Sequence, residues 1–264
     1  MPAPASLKIL VCVRQVPDVE GSFRPDPAGV ALDESGLVYR MSEVDRYAVE
    51  EAARWKERYG VRRVTALSVG PERAGAVVRR ALEFGLDHGA HIRTEAGEPD
   101  DALNTAERIA AYARQHDFSL LLFGVMSEDL QRFQTGPMTA ALLGIPHASA
   151  VISAELTPDG GRVRAEQEVE GGRREILELF LPALLAVQPG INTPRYPSLS
   201  HKLRARNQAL EVLPAGPPLE RGAVPCRTSL RAPTLAHPGV YLSGTPEEKA
   251  EQLVRLIRQK TGLL

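Results

Sequence analysis

"RVTALSVGPERAGAVVRRALEFGLDHGAHIRTE", residues 63–95, is the stretch of sequence that decides the fold. It opens with a short apolar run, Arg63–Val69, that is typical of a buried strand, and it closes with a second such run, "AHIRTE". The segment between them is amphipathic and has Pro71 in its first turn, where a helix tolerates proline well. A strand, a helix and a strand at this spacing predict parallel strands joined by a right-handed βαβ connection.

The same alternation of strands and helices continues on both sides of this stretch. The further predicted elements are a strand at Lys8–Val13, a helix from the N-cap Ser42 to Gly60, a helix over Asp100–Gln115, a strand ending at Gly124 and a helix over "QTGPMTAALLGIP". The sequence therefore predicts an α/β domain built on a parallel sheet.

After Ala148 the pattern changes from βα units to alternating strands. "SAVISAEL", "RVRAEQEVEG" and "REILELFL" are separated by glycine pairs, which predicts β-hairpins added to the sheet. An apolar run, "LELFLPALLAV", then leads into a proline-rich irregular arm. We therefore divide the chain into an α/β domain (1–188), an arm (189–212), and a tail (213–264) that ends in an amphipathic helix with Thr245 as N-cap. The stretch Leu213–Val240 is crowded with Pro and Gly and predicts little regular structure.

Composition excludes several classes of function. The chain has 264 residues, 43% of them hydrophobic, and a net charge of −1, so no overall charge attracts nucleic acid or an acidic membrane. It contains no apolar run near the roughly 20 residues that span a bilayer. Cys12 and Cys226 form no metal-type spacing, and Cys12 lies in a predicted strand as a small hydrophobic residue. We expect a cytoplasmic protein without membrane insertion.

The candidate site lies where predicted strands end. Ligands of parallel α/β sheets bind beyond the carboxyl ends of the strands, where helices begin. The segments at this edge are Cys12–Asp18 with Ser42–Asp45, "SVGPE" around Gly70, and Gly124–Pro137. Gln134, Thr135 and Gly136 offer an amide, a hydroxyl and backbone donors that suit a phosphate. Each segment alone is better explained as a helix cap or a tight turn, but their placement together on one edge favours a nucleotide site.

The chain lacks the motifs of a stand-alone enzyme. It contains no Walker loop, GxGxxG or GxSxG motif, and its six histidines show no ligand spacing. Glu166, Glu168 and Glu170 share one face of a predicted strand, which favours a solvated face over an acid–base pair. No nucleophile is paired with a base, so the sequence indicates a binding protein.

Several collinear motifs resemble one family. "QEVEGGRREILELFLPALLAV" followed by "NTPRYPSL" resembles the signature of the electron transfer flavoprotein β subunit, and "AVEEAARWKE", "LSVGPERAGAVVRRALEFGLDHG" and "QTGPMTAALLGIP" occur in the same order. The resemblance covers nearly the whole chain. It implies a Rossmann-like (adenine nucleotide α-hydrolase-like) domain that binds AMP and pairs with a larger α subunit carrying FAD. It also implies that the heterodimer takes electrons from acyl-CoA or related dehydrogenases and passes them to a membrane quinone oxidoreductase.

The resemblance also assigns nucleotide-binding residues. They are Cys12, Ser42, Glu43, Val44, Asp45, Val69, Gly124, Val125, Met126, Ser127, Glu128, Asp129, Leu130, Gln131, Arg132, Phe133, Gln134 and Thr135. The sequence departs from the family pattern at Ser42–Asp45, where Asn-Pro-x-Asp or Asn-Pro-x-Cys is usual. It departs again before "QTG", where only Asp129 of the family's acidic run is retained. Arg132 either adds a phosphate contact or points to solvent.

The arm is expected to contact partner proteins. The resemblance places the apolar anchor for dehydrogenases at Leu199, with Arg195 and Tyr196 beside it. An exposed leucine among Arg195, Lys202, Arg204 and Arg206 suits a partner with an apolar pocket and acidic surroundings. The alternative is that Leu199 folds back onto the sheet.

Two other functions remain open. One is a bifurcating or nitrogen-fixation-type β subunit that binds a second FAD, although the acidic-glycine stretch of that class is absent near Glu128–Gln131. The other is an adenylating or ATP-hydrolysing enzyme, for which the loops lack a phosphate-activating lysine and a catalytic pair. We further expect the tail to lie across a partner or the domain, and the isolated chain to be incompletely stable.

Overall fold

A computed structural model describes residues 7–18, 24–95, 97–98, 101–216, 229–231 and 239–262. These residues divide into two units. The first comprises residues 7–18 and the described residues of 34–216, and the second comprises residues 24–33, 229–231 and 239–262. Cys226 and most of the predicted irregular stretch Leu213–Val240 lie outside the described residues.

The first unit is built on a long, mostly parallel sheet. The strands are β1 (Lys8–Cys12), β2 (Gln15–Pro17), β3 (Tyr39–Met41), β4 (Arg63–Gly70), β5 (His88–Arg93), β6 (Leu120–Gly124), β7 (His147–Leu156), β8 (Arg162–Val169), β9 (Arg173–Phe180), β10 (Ala183–Val187) and β11 (Glu211–Pro214). Among the described residues the main sheet has the order β11-β5-β4-β1-β6-β10-β7-β8-β9. Every pair from β11 to β7 is parallel, and β7, β8 and β9 pair antiparallel. The predicted α/β sheet with added hairpins is thereby confirmed.

Helices cover both faces of the sheet. Those of the first unit are α1 (Glu43–Tyr59), α2 (Gly75–Leu82), α3 (Ala102–Arg114), α4 (Thr135–Leu143) and α5 (Leu199–Asn207). Successive side chains of a strand point to opposite faces. Ile9 and Val11 of β1 accordingly pack in the apolar cluster shared with α1 and α2, and Leu10 and Cys12 pack in the cluster shared with α3 and α4.

Residues 177–187 form two strands where the sequence presents one apolar run. β9 lies at the outer edge of the sheet, whereas β10 lies in its centre between β6 and β7. Pro182 separates them because proline has no N–H to donate to a strand ladder. β10 is buried along its whole length, which explains its continuous apolar composition.

The prediction of an irregular arm over 189–212 is only partly right. Residues 192–198 are irregular, but α5 follows, and β11 begins within the predicted arm. The Ser198 side chain caps α5 by accepting a hydrogen bond from the His201 N–H at 3.2 Å. Ala205 is buried on the other side of this helix. A local cap and one buried position are therefore enough for a helix here, although the prolines of the arm indicated irregular structure.

The ends of α1 agree with the sequence, except for the capping bond. Gly60 ends the helix in the left-handed conformation with φ 62°. Ser42 precedes the helix as predicted, but its side chain makes no capping bond. Its hydroxyl oxygen is buried without a hydrogen-bond partner among the described residues.

The second unit contains α6 (Pro246–Thr261). Thr245 and Glu248 form a reciprocal capping box at its start, in agreement with the predicted N-cap. Leu253, Val254 and Ile257 lie along one side of the helix. Across the described parts of both units, no helix combines the length and apolar character that a bilayer crossing requires.

Candidate functional site

A pocket lies at the carboxyl ends of β1, β4 and β6, beside α3 and the first turn of α4. Its walls combine apolar side chains with backbone and polar groups. The lining residues are Cys12, Val13, Arg14, Asp45, Leu67, Val69, Ala102, Thr105, Ile109, Phe123, Gly124, Val125, Met126, Ser127, Leu130, Arg132, Phe133, Gln134, Thr135 and Gly136. The pocket thus occupies the edge at which parallel α/β sheets bind ligands.

The structure brings together most of the residues expected at this site. Those that line the pocket are Cys12, Asp45, Val69, Gly124, Val125, Met126, Ser127, Leu130, Arg132, Phe133, Gln134 and Thr135. Those that do not line it are Ser42, Glu43, Val44, Glu128, Asp129 and Gln131. The sequence analysis missed the wall formed by Ala102, Thr105 and Ile109 of α3. Their spacing places them on one face of α3, and α3 follows β5. These two features together could have predicted that this face lines the pocket.

Asp45 ties three elements together at the pocket. It lies in the first turn of α1, where its Oδ2 accepts a hydrogen bond from the Arg14 backbone N–H at 2.7 Å. Its Oδ1 accepts one from the Gly124 N–H at 3.1 Å. A Cβ atom at position 124 would overlap Oδ1 of Asp45 and lie 3.0 Å from the Asp45 backbone nitrogen. Glycine is therefore required where β6 ends, because the carboxylate lies so close to its backbone.

Burial changes the proton affinity of two pocket groups. Burial raises the pKa of Asp45 to about 7, against the lowering effect of the Arg14 and Gly124 N–H bonds and of the Arg14 charge. The pKa of the Cys12 thiol is raised well above its ordinary value by burial, with a further contribution from Asp45. Cys12 therefore stays a neutral thiol, in keeping with the role of a small hydrophobic residue.

Two arginines hold the acidic residues of the loop 128–134. Nε of Arg14 lies 3.1 Å from both carboxylate oxygens of Asp129, and Nη2 lies 2.7 Å from Oδ2. Burial acts to raise the pKa of Asp129, but the hydrogen bond and charge of Arg14 outweigh it and lower the value. Glu128 lies 2.8 Å from Arg40. Both acids thus face arginines, and neither lines the pocket.

The loop ends where α4 opens toward the pocket. Gln131 and Phe133 both have left-handed φ angles, 50° and 58°, a conformation that costs a non-glycine residue about 1 kcal/mol or more. Gln134, Thr135 and Gly136 follow at the start of α4, where backbone N–H groups have no partner within the helix. Arg132 is exposed at the rim of the pocket.

The pocket combines apolar walls with the start of a helix. Leu67, Val69, Ile109 and Met126 give walls that suit a planar ring, and the N-terminus of α4 suits an anionic group. Among the described residues no group of His, Cys, Asp or Glu side chains is arranged to hold a metal ion.

The arm displays an apolar face. Tyr196 is 95% exposed, Leu199 is 72% exposed and Leu203 is 54% exposed. Their spacing places Leu199 and Leu203 on one side of α5, with Tyr196 just before it. The predicted exposure of Leu199 is confirmed, and the alternative that it folds back onto the sheet is wrong.

Arg195 lies in a different setting from the other cations of the arm. Its guanidinium bonds Glu50 at 2.9 Å and Glu57 at 2.5 Å, both on α1. The hydrogen bond from Arg195 is the largest influence on Glu57 and lowers the pKa of its carboxyl. Lys202, Arg204 and Arg206 are exposed along α5. The structure therefore gives Arg195 an internal contact that the sequence analysis did not anticipate, and its contact with a partner stays a prediction.

Comparison with known proteins identifies relatives over nearly the full length. The family model described as "Electron transfer flavoprotein domain" matches residues 29–218. A protein of Sus scrofa named "Electron transfer flavoprotein subunit beta" is 34% identical over 259 residues, covering 97% of this chain and 98% of that protein. A protein of the same name from Bacillus subtilis (strain 168) is 32% identical, covering 88% of this chain and 91% of that protein. Another from Methylophilus methylotrophus is 28% identical, covering 97% of this chain and 100% of that protein.

Proposed function

Because the chain belongs to the electron transfer flavoprotein family and matches a β subunit over 97% of its length, we propose that it is one half of a heterodimeric electron carrier. In this proposal a larger α subunit holds most of the FAD, and the flavin supplies the redox chemistry when it is bound. The β chain contributes a nucleotide site and a docking surface. The observation that supports the proposal best is the pocket at the carboxyl edge of the sheet. Apart from Cys12, Val13 and Arg14, its lining residues lie in the region 29–218 that the family model matches.

The residues of the pocket fit AMP. The ring would lie between the apolar side chains Val69 and Ile109, and the phosphate would bind the first N–H groups of α4 at Thr135 and Gly136. Arg14 and Arg40 pair with Asp129 and Glu128, so little uncompensated acidic charge opposes a phosphate. The role of AMP in this proposal is structural.

Nucleotide extraction from the co-expressed heterodimer tests this proposal. We expect one AMP and one FAD per heterodimer after denaturation, identified by chromatography and mass spectrometry and counted against protein. Two FAD molecules and no AMP would instead establish the bifurcating type of β subunit. A heterodimer that releases no adenine nucleotide besides one FAD would overturn the nucleotide site.

The second part of the proposal concerns docking. The exposed face of Tyr196, Leu199 and Leu203 is flanked by Lys202 and Arg206, so it suits an apolar pocket surrounded by acidic residues. We propose that acyl-CoA or related dehydrogenases supply such a pocket, and that the reduced heterodimer delivers its electrons to a membrane quinone oxidoreductase.

Leu199→Ala tests the docking surface. Because Leu199 is exposed, the variant should melt like wild type and keep its flavin spectrum. Electron transfer from the dehydrogenase should fall by about 10-fold or more, as for a central contact residue. Ile176→Ala, at an exposed apolar position on β9, is the matched control and should transfer electrons normally. Unchanged transfer in Leu199→Ala would contradict the docking role.

The helix of the second unit fits the same assembly. α6 carries Leu253, Val254 and Ile257 on one side and charged residues elsewhere, which is the pattern of a helix that packs against an apolar surface. We propose that the tail and α6 pack on the α subunit.

A further inference from the structure

Two adjacent buried carboxylates on α1 call for an explanation. Glu50 is 3% exposed and Glu51 is 5% exposed. A buried carboxylate is costly unless it is hydrogen-bonded or paired with a charge. Both find partners in the irregular part of the arm, residues 192–198.

Glu50 binds both the backbone and the side chain of Arg195. Its Oε2 accepts a hydrogen bond from the Arg195 backbone N–H at 3.1 Å, and its Oε1 lies 2.9 Å from Nε. The same guanidinium donates to Glu57 through Nη1 at 2.5 Å and Nη2 at 3.0 Å. One arginine is thus held by carboxylates two helical turns apart, so its position along α1 is fixed.

Glu51 acts in the same way on Asn192. Its Oε2 accepts a hydrogen bond from Asn192 Nδ2 at 2.9 Å, and Nδ2 also donates to the Tyr47 carbonyl oxygen at 3.0 Å. The Trp55 indole N–H donates to Oε1 of Glu51 at 2.9 Å, which fixes the carboxylate in the core. Residues 192–198 form no strand or helix, so these side-chain bonds define the path of the chain.

The far end of the arm is held separately. The Arg79 guanidinium donates to the Gln208 carbonyl oxygen at 2.9 Å, and the Gln208 side chain donates to the Asp87 carbonyl oxygen at 2.6 Å. Tyr196 and Leu199 lie between these two fixed points and are exposed. An apolar residue on a fixed segment loses less conformational entropy when it binds than one on a free segment.

We propose that Glu50 and Glu51 are positioning residues for partner docking, which hold the arm through Arg195 and Asn192 so that Leu199 is displayed in its binding conformation. The inference rests on the proposed docking function. According to this inference, α1 contributes to partner docking together with the arm.

Glu50→Gln in the holo heterodimer tests the inference. The amide keeps the shape of the side chain but removes the charge that holds the guanidinium. The KM of the dehydrogenase for the heterodimer should rise about 3- to 10-fold, while the saturating rate and the flavin spectrum stay those of wild type. Amide hydrogen exchange should increase at residues 195–203. Glu178→Gln, on the exposed hairpin, is the matched control, and we expect no change in KM.

A double variant separates docking from general stability. If Glu50 acts by positioning Leu199, the KM of Glu50→Gln with Leu199→Ala should equal that of Leu199→Ala alone. The inference would be overturned if the increase in KM of the double variant equalled the product of the two single increases. It would also be overturned if Leu199→Ala raised the KM and Glu50→Gln did not. No effect of Leu199→Ala itself would instead overturn the docking function. If Glu50→Gln does not fold, Glu57→Gln takes its place, because Glu57 is the exposed partner of the same guanidinium. The same KM comparisons then test the inference.

Discussion

Asp45 is the residue that joins three segments around the pocket. One carboxylate fixes the chain after β1 through Arg14 and the end of β6 through Gly124, while its own backbone starts α1. Removal of either bond would leave a buried carboxylate oxygen short of a donor, which costs about 1–3 kcal/mol.

Gly124→Ala should disrupt this arrangement. The new methyl group would overlap Oδ1 of Asp45, and the neighbouring atom is the backbone of α1, which cannot move freely. We expect a loss of about 1–3 kcal/mol in the free energy of unfolding, measured by urea denaturation, together with weaker nucleotide retention. Gly136→Ala is the matched control for stability alone, because its Cβ would meet Leu184 at an ordinary 3.5 Å. Equal stability of the two variants would contradict the steric argument.

Asp45 should also give the protein a specific dependence on pH. Its pKa rises from an ordinary 3.8 to about 7 on folding. Between these values the folded protein holds a proton that the unfolded chain has lost, so the contribution of Asp45 to stability falls as pH rises from about 4 to 7, by at most about 1.4 kcal/mol per pH unit. Urea denaturation of wild type and Asp45→Asn across this window should show the slope only in wild type. The control variant Asp159→Asn, in an exposed turn, should keep the wild-type slope of stability against pH. Equal slopes for wild type and Asp45→Asn would show that Asp45 is not the group responsible.

The sequence could predict residues of the pocket that follow strands, but not the orientation of charged residues in its loop. Cys12, Val69 and Gly124 are determined by the rule that parallel strands end at one edge. The direction of Asp129 depends on Arg14, which lies 115 residues earlier in the chain. Contacts over such separations leave no periodic signal in the sequence.

At the scale of elements, β11 depends on side chains at its start. This strand forms the edge of the sheet beside β5. Glu211, its first residue, lies 2.7 Å from His88 Nε2 and accepts a hydrogen bond from the Tyr112 hydroxyl at 3.0 Å. The bond with His88 is the largest influence on Glu211, and with that of Tyr112 it lowers the pKa of the carboxyl.

Glu211→Gln should therefore loosen β11 selectively. The contribution of Glu211 to stability is present above its ordinary pKa of 4.5 and is lost as pH falls through the lower folded value. At neutral pH the variant should exchange the amide hydrogens of residues 211–213 faster, while those of β1 and β6 keep their protection. The measurement is hydrogen–deuterium exchange with mass spectrometry. Glu178→Gln serves as the control, and equal protection of β11 in both variants would refute the role of Glu211.

Elements with strong local signals were predicted well, and elements defined by distant contacts were not. α1 shows its start and its left-handed end in the sequence, and the glycine pairs show the hairpin turns. α5 was missed because its cap, Ser198, follows Pro197 in a stretch that otherwise indicates irregular structure. Its stability depends on packing of Ala205, which only the folded chain provides.

At the scale of the whole molecule, the sequence determines the class of sheet but not the order of its strands. Alternating apolar strands and helices predict parallel pairing, as found from β11 to β7. The central position of β10 cannot be read in the same way, because its apolar composition indicates burial without naming its neighbours. The chain must pass through the hairpin of β8 and β9 before it returns to the centre.

The central position of β10 has a consequence for synthesis on the ribosome. β6 leaves the ribosome roughly 60 residues before β10, which corresponds to about 3–12 s at ~5–20 residues per second. During this interval β6 presents an open edge with unpaired N–H and C=O groups, and such edges promote aggregation. Translation of Ala183–Val187 closes the edges of β6 and β7 together. We therefore expect the nascent chain to be prone to aggregation until these five residues emerge.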